Sequence, residues 1–374
     1  MARTTDTGAG QRGLFSRLLQ RAHIDPPLLA GIAAVLMVGV FVLYSASGNS
    51  MDTVWRQGAR IGVAMLAMVA LAQVQPGWLR RVSPWLFGIG LLMLILVLVR
   101  GEMGGGAQRW LDIGVRFQPS ELMKLAVPAM LAWVLHDRAL PPSLLMVGGL
   151  LVLIAVPVGM IALQPDLGTS ILIGLTGITV VFLAGISLRF IVLSGVTAVA
   201  ALPLLWYSMR DYQKQRVLTL FDPEQDPLGA GYHIIQSKIA IGSGGTFGKG
   251  WLNGSQGQLE FLPERSTDFI FAVIGEEFGF FGVCLLLILY LMIVARGFYI
   301  AAAAQDTFSR LLAGAISFTF FFYVFVNTAM VTGLVPVVGV PLPLVSAGGT
   351  SMVTLLAGFG ILMSIQTHRK LLPR

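Results

Sequence analysis

Ionisable side chains interrupt or border the long apolar stretches of this sequence at only a few places. Glu121 and Lys124 lie three residues apart at the start of one stretch, and Arg109 precedes them. Asp166 separates two further stretches, and Asp268 directly precedes another. Charged groups in apolar surroundings are costly and by default mark function. Carboxylates beside cations suit two tasks, which are the transport of a charged solute and chemistry on a phosphate-bearing lipid, with an aspartate as general base.

Each of these side chains also has a structural interpretation. Glu121 and Lys124 share one helix face, so the pair could simply neutralise itself. Asp166 and Asp268 each stand where a helix is predicted to begin, and aspartate is a common N-cap. The residue types alone leave both interpretations open.

Two further sets of polar residues are secondary candidates. Glu276 and Glu277 follow Asp268 by about two turns and point about 100° apart, so at most one faces a shared cavity. The other interpretation is that they pack helices or anchor a loop. The glycine-rich stretch at 346–351, which begins with Ser346, is typical either of ligand binding or of close packing at a broken helix.

The composition predicts a membrane protein. Of 374 residues, 25 are Lys or Arg and 18 are Asp or Glu, so 11% are charged against roughly 25% in soluble proteins. Hydrophobic residues make up 56%. Nucleic-acid binding is a poor explanation of the net charge of +7, because the basic residues lie in short loops. Cys284 alone forms no intrachain disulfide, and the four histidines lack the ligand spacing of a zinc site.

The apolar stretches predict an all-α polytopic membrane protein with about ten transmembrane helices. They lie near residues 27–46, 58–75, 83–100, 119–136, 143–163, 167–187, 190–207, 269–295, 311–335 and 344–366.

Loop charges predict that both termini lie inside the cell. With this orientation the inner segments carry thirteen Lys or Arg residues and the short outer loops carry five. The gaps after the odd-numbered spans then face outward. The charged candidates and Ser346 all fall at or beside those gaps, which predicts an outward-facing polar cavity.

The predicted organisation is one transmembrane domain at 27–368 between two short cytoplasmic ends. Residues 1–26 include an amphipathic segment suited to an anionic membrane surface, and 369–374 form a tail. The segment at about 208–267 is a large extracytoplasmic loop with its own hydrophobic content, typical of a functional loop. Its GTFGKG run at 245–250 departs from the phosphate-loop pattern, so a nucleotide site is not expected.

Several motifs together resemble the SEDS family of shape, elongation, division and sporulation proteins. They are Arg109-Trp110, FQPSELMK at 117–124, which includes Ser120, QPDLGT at 164–169, and FLPERSTDFIF at 261–271, which includes Thr267. The resemblance extends over nearly the whole chain. DPEQDPLGAGYHIIQS at 222–237 and LEFLPER at 259–265 resemble the rod-shape branch rather than the division branch. Ser266 departs from that branch, in which histidine is frequent at this position.

The resemblance implies a peptidoglycan glycosyltransferase in the bacterial inner membrane. Such an enzyme polymerises lipid II into glycan strands on the outer face, for elongation and rod shape. The family's catalytic aspartate falls on Asp268, and its cavity residues fall on Arg109, Glu121, Lys124 and Asp166. The implied partner is a class B penicillin-binding transpeptidase within a rod-shape complex.

The sequence leaves two points open. Carboxylates of this kind can hold Mg²⁺ or Mn²⁺ against a pyrophosphate, but no spacing requires a metal. A lipid II flippase or other transporter would use a similar cavity. It would need polar groups across the whole bilayer, whereas here they cluster at the outer end.

Overall fold

The computed structural model describes residues 22–104, 107–112, 116–186, 211–225, 229–258, 261–262 and 264–368, with isolated positions between 192 and 209. Most of the predicted N-terminal segment, the tail at 369–374 and half of the residues of the span predicted at 190–207 lie outside the described residues.

The described chain is mostly helical. Its α-helices are α1 (Pro26–Ala46), α2 (Met51–Ala72), α3 (Pro76–Arg100), α4 (Pro119–Leu135), α5 (Leu144–Leu163), α6 (Leu167–Leu183), α7 (Asp211–Phe221), α8 (Ala230–Gly244), α9 (Ser255–Gln258), α10 (Ile270–Ala302), α11 (Thr307–Val331) and α12 (Thr350–Thr367). A 3₁₀ turn at Pro223–Gln225 lies between α7 and α8.

Six of these helices, α1, α3, α5, α10, α11 and α12, are long and apolar enough to cross a membrane. α6 is apolar but shorter. Large apolar side chains point outward from the bundle, as Trp85 of α3 does with 74% of its surface exposed. The protein is therefore a multi-pass membrane protein, while the count of ten spans and the orientation stay predictions.

Five of these helices begin where a side chain accepts a backbone N–H. Asp25, Ser50, Ser143, Asp166 and Asp306 cap α1, α2, α5, α6 and α11 in this way. α1, α3 and α4 carry proline in the first turn, where its missing N–H costs nothing. The sequence-based boundaries agree with these starts to within a few residues, apart from α2, α3 and α12.

α4 is the central helix of the bundle. It packs against α3, α5, α6, α11 and α12, and most of its residues are buried. Its first turns therefore carry Glu121 and Lys124 into the protein interior rather than toward lipid.

The expectation of an all-α protein was incomplete, because a small three-stranded antiparallel sheet joins α3 to α4. Its strands are β1 (Glu102–Gly104), β2 (Ala107–Asp112) and β3 (Arg116–Phe117), in the order β1-β2-β3. Strands this short are difficult to predict, because they contain too few residues to show an alternating hydrophobic pattern in the sequence. The sheet matters because β2 carries Arg109 and Trp110.

An irregular segment at 333–349 connects α11 to α12. Val340, Leu342, Leu344 and Val345 are buried in it, although it forms no regular helix. Irregular backbone is tolerated within a membrane protein only where protein covers it or where it lines a cavity. This segment does both, because Gly339, Val340 and Pro341 form one wall of the cavity described below.

α10 is broken at Gly279, whose φ of +62° is outside the helical range. The loop at 245–250 fills the break: Lys249 N–H donates to the carbonyl of Glu276 at 2.9 Å, and Phe280 N–H donates to that of Gly245 at 3.0 Å. A Cβ on Gly279 would lie 2.3 Å from the nitrogen of Gly248. Glycine is thus required both by the backbone conformation and by the close approach of the loop.

Gly279→Ala should destabilise the protein by at least about 2 kcal/mol, since a left-handed conformation and a backbone clash both oppose the new side chain. The apparent melting temperature in detergent measures this. Gly58→Ala in α2 is the matched control, because no atom lies within 4 Å of its added Cβ. Equal melting temperatures for the two variants would contradict the requirement for glycine at the break.

Candidate active site

A cavity of about 190 Å³ lies between α4, α6, α11, α12, β2 and the irregular segment. Most of its lining is polar or charged. The residues are Arg109, Trp110, Gln118, Glu121, Lys124, Asp166, Thr169, Leu172, Tyr323, Gly339, Val340, Pro341, Gly348, Gly349, Thr350 and Ser351. Arg109, Trp110, Glu121, Lys124 and Asp166, which the sequence singled out, therefore meet in one place.

Glu121 and Lys124 form a buried ion pair in the cavity. The Lys124 Nζ lies 2.5 Å from Glu121 Oε1, and each side chain is only 6% exposed. Thr354 Oγ1 donates to the other Glu121 oxygen at 3.2 Å, and the Lys124 ammonium lies 4.5 Å from the centre of the Tyr323 ring. The predicted pairing of these two side chains is present, and it places their charges at the cavity wall.

Asp166 has the structural role suggested by its position and also faces the cavity. Its Oδ1 accepts the Thr169 N–H at 3.2 Å as the N-cap of α6. Its Oδ2 accepts from Gln118 at 3.0 Å and lies 3.8 Å from Arg109 Nη1. The Arg109 guanidinium also donates to the Pro165 carbonyl at 3.4 Å. One carboxylate thus starts a helix and fixes a cation.

Asp268 lies in the turn before α10, immediately behind the cavity wall. Its Oδ2 is 3.6 Å from the position that a Cβ on Gly339 would take. It does not cap α10, because the N-cap is Phe269 and no side chain caps that helix. Burial and the neighbouring Glu264 carboxylate raise the pKa of Asp268 to about 6, whereas the Arg109 guanidinium acts in the opposite direction.

Two buried side chains from other parts of the chain hold the Asp268 turn. Ser346 Oγ donates to the Thr267 carbonyl at 2.6 Å and accepts the Leu342 N–H at 2.8 Å. Asn327 of α11 is fully buried, and its Nδ2 donates to the carbonyls of Asp268 at 2.8 Å and Val340 at 2.7 Å. The turn and the cavity wall are therefore fixed to one another.

Thr267 and Ser120 contribute differently. The Thr267 hydroxyl donates to Glu264 Oε2 at 2.6 Å, which orients the carboxylate that acts on Asp268. Ser120 is buried at the start of α4, and its hydroxyl has no hydrogen-bond partner among the described residues.

Glu276, a secondary site candidate, is not among the residues that line the cavity. Its contacts agree with the other interpretation of its position, which is that it anchors a loop. Its carboxylate lies 2.7 Å from Lys249 Nζ and accepts from Ser255 Oγ at 3.1 Å and from the N–H groups of Gln256 and Gly257. Glu276 therefore anchors the loop at 249–257. Sequence spacing placed it about two turns from Asp268 but could not show that the loop folds back over this helix.

Among the described residues, no group of three or more His, Cys, Asp or Glu side chains is arranged to hold a metal ion. Glu121 and Asp166 instead contact cationic side chains of the protein.

Comparison with known proteins assigns the family. The family described as cell cycle protein, FtsW/RodA/SpoVE, matches residues 27–371. The peptidoglycan glycosyltransferase MrdB of Escherichia coli K12 is 53% identical over 356 residues, which cover 95% of this chain and 96% of MrdB. The chain belongs to the FtsW/RodA/SpoVE family.

Solved structures agree with this assignment. RodA of Thermus thermophilus matches with a TM-score of 0.70 and 30% identity, over 92% of this chain and 98% of RodA. A chain of a peptidoglycan synthase complex, solved to explain how polymerization and crosslinking are coordinated, matches with a TM-score of 0.80 and 35% identity. This match covers 91% of this chain and 97% of that one.

In this FtsW/RodA/SpoVE member, Asn327, Tyr323 and Gln118 are site residues that the sequence reasoning missed. Asn327 and Tyr323 lie inside the long apolar stretch of α11. The side-chain amide of Asn327 was the only feature there that could have indicated a site from the sequence. A buried asparagine in a membrane helix needs partners for its amide. That requirement could have marked Asn327, although not the carbonyls it binds.

Ser346→Ala should destabilise the protein by about 1–3 kcal/mol, because the variant leaves the buried Leu342 N–H without its acceptor. The apparent melting temperature in detergent reports the loss. Ser266→Ala is the control, since only the Ser266 carbonyl, which accepts the Ala347 N–H, takes part in the contact with the irregular segment. A loss no larger than the control's would mean that Ser346 does not hold the turn.

Proposed function

We propose that the protein is a peptidoglycan glycosyltransferase that polymerises lipid II on the outer side of the bacterial inner membrane, for elongation and rod shape. The observation that carries the proposal is the 53% identity to the glycosyltransferase MrdB across 95% of the chain. The cavity supports it, because cations, carboxylates and an aspartate of raised pKa meet at one end of the bundle.

The proposed reaction transfers a sugar with inversion at its anomeric carbon. The 4-hydroxyl of one sugar attacks the anomeric carbon of a lipid-linked sugar and forms the new glycosidic C–O bond. The bond from that carbon to the lipid pyrophosphate breaks, and its electron pair leaves with the pyrophosphate. Asp268 accepts the hydroxyl proton. Its pKa of about 6 suits a base that is ionised at neutral pH yet basic enough to take a proton.

The leaving group needs charge stabilisation more than a proton, because pyrophosphate is already a weak base. Lys124 and Arg109 provide cations in the cavity, and Arg and Lys make strong charge-assisted bonds to phosphate oxygens. Glu121 and Asp166 hold those cations in place before the substrate arrives. Preorganised charge of this kind stabilises a transition state without further rearrangement. One carboxylate base suffices here, unlike the two of ordinary glycosidases.

The proposed partner is a class B penicillin-binding transpeptidase, within a rod-shape complex, that cross-links the new strands. The similarity to a chain of a peptidoglycan synthase complex that couples polymerization to crosslinking supports this pairing. Mg²⁺ or Mn²⁺ is proposed only as an optional counter-ion of the pyrophosphate.

A lipid II flippase is the alternative function, and the cavity floor argues against it. Beyond Lys124 the interior narrows to a void of about 20 Å³, lined mostly by apolar side chains such as Leu125, Ile316, Phe320 and Phe359. A flippase has to move a charged head group past this depth. In this conformation the described residues form no polar path for such a head group beyond Lys124.

Asp268→Asn should abolish polymerisation of fluorescent lipid II by the purified protein, assayed with and without a transpeptidase partner, because asparagine accepts no proton. Glycan products are resolved on a gel. Asp137→Asn, on an exposed residue, is the control and should retain activity. Full polymerisation by a folded Asp268→Asn protein would exclude Asp268 as the base.

The same preparation separates the two functions. Wild-type protein that makes no polymer but moves lipid II across a vesicle membrane would favour the flippase.

The polymerisation rate should fall as pH drops through about 6, by about tenfold per unit below that value, because protonated Asp268 cannot act as a base. The pH–rate profile measures this. Glu264→Gln keeps an acceptor for Thr267 but removes the charge that raises the pKa of Asp268, so the midpoint should move to lower pH. Glu224→Gln, at an exposed site in the 3₁₀ turn, should leave it in place. An unchanged midpoint in Glu264→Gln would refute this electrostatic coupling.

A further inference from the structure

The cations of the cavity are already partly neutralised by the protein. Lys124 is paired with Glu121 at 2.5 Å, and Arg109 lies 3.8 Å from Asp166. An incoming pyrophosphate carries several negative charges, whereas these two pairs contribute little net positive charge. Binding of a pyrophosphate would therefore require a further source of positive potential in the same cavity.

The N-terminus of α12 supplies such a source. Gly348, Gly349, Thr350 and Ser351, at the start of this 18-residue helix, all line the cavity. No side chain caps the helix, and its first turn contains no acidic residue. The first N–H groups of a helix have no partner within the helix, and the helix dipole places a partial positive charge there.

A second, independent observation points to a ligand at this place. Tyr323 lines the same cavity and is only 2% exposed. The neighbouring Lys124 ammonium can only donate to its hydroxyl oxygen, and no acceptor for the hydroxyl proton lies among the described residues. A buried hydroxyl whose proton has no acceptor costs about 1–3 kcal/mol, so an additional acceptor is expected in this cavity.

Arg60 adds a cation close to the helix terminus. Its Nε lies 3.8 Å from the position that a Cβ on Gly349 would take. Within the described part of the chain Arg60 has no ion-pair partner. It therefore differs from Lys124 and Arg109, whose charges are partly compensated.

We propose that the N-terminus of α12, at Gly349–Ser351, together with the Tyr323 hydroxyl and Arg60, is a binding subsite for a phosphate group of a diphosphate. This inference rests on the proposed function in one respect, which is that the natural diphosphate is the lipid-linked leaving group. The phosphate accepts hydrogen bonds from the free N–H groups of the helix, as anions do at helix N-termini generally.

The test places a single charge at the helix terminus. Gly349→Asp adds a carboxylate that caps α12 itself and repels phosphate, whereas Gly349→Asn adds a neutral cap of the same size. The nearest atoms to the added Cβ belong to the Arg60 side chain at 3.8 Å, so both variants fit. The binding of inorganic pyrophosphate and of farnesyl pyrophosphate to the detergent-purified full-length protein is measured by displacement titration.

We expect pyrophosphate binding to weaken at least about tenfold in Gly349→Asp and to stay within about threefold of wild type in Gly349→Asn. Tighter binding of farnesyl pyrophosphate, with the same dependence on the charge at 349, would identify the lipid-linked diphosphate as the ligand. If only inorganic pyrophosphate bound in a charge-sensitive way, the ligand would be identified as the free anion. Equal binding by the Asp and Asn variants, or no binding to wild type, would overturn the proposal.

A second pair of variants covers the case in which Gly349→Asp does not fold. Ser351→Asp and Ser351→Asn make the same charge comparison within the first turn of α12, where an acidic residue favours the helix. Polymerisation of lipid II by wild type is measured in parallel. Polymer formation without a difference between the Asp and Asn variants refutes the subsite and leaves the proposed function intact. A charge-sensitive subsite in a protein that makes no polymer refutes the function alone.

Discussion

The cavity depends on the buried ion pair between Glu121 and Lys124. Both charges lie on the helix that packs against most of the bundle, and each side chain is only 6% exposed at the cavity wall. Loss of one member of such a pair costs about 3–5 kcal/mol, because the other remains charged and unpaired. The pair therefore fixes the rotation of α4 and, with it, the position of the cavity wall that faces α11 and α12.

A second constraint connects the aspartate turn to the irregular segment before α12. Asn327 binds the carbonyls of Asp268 and Val340 with one amide group, and Ser346 binds the carbonyl of Thr267. Irregular backbone carries unpaired polar groups that a membrane interior cannot satisfy. These two side chains satisfy several of them, and in doing so they set the distance between Asp268 and the cavity.

Sequence reasoning was most accurate where a local rule applied. Hydropathy located most of the helices, and the three-residue spacing of Glu121 and Lys124 predicted their pairing, because both signals depend only on neighbouring residues. The short strands around Arg109 and the loop anchored by Glu276 depend on contacts between distant segments, which no local pattern records. That the charged residues converge was predicted only by assigning alternate loops to the outer side of the membrane. This assignment requires no knowledge of tertiary contacts.

The position of Asp268 in a turn suits its proposed role as a base better than a position inside a helix would. Burial and Glu264 raise its pKa, and Arg109 opposes them, so that the result is about 6. A carboxylate deeper in the bundle would be more strongly desolvated and would stay protonated at neutral pH unless a cation paired with it. Such pairing would lower its basicity. A turn at the cavity edge allows partial burial without a permanent partner, which keeps the carboxylate ionised and able to accept a proton.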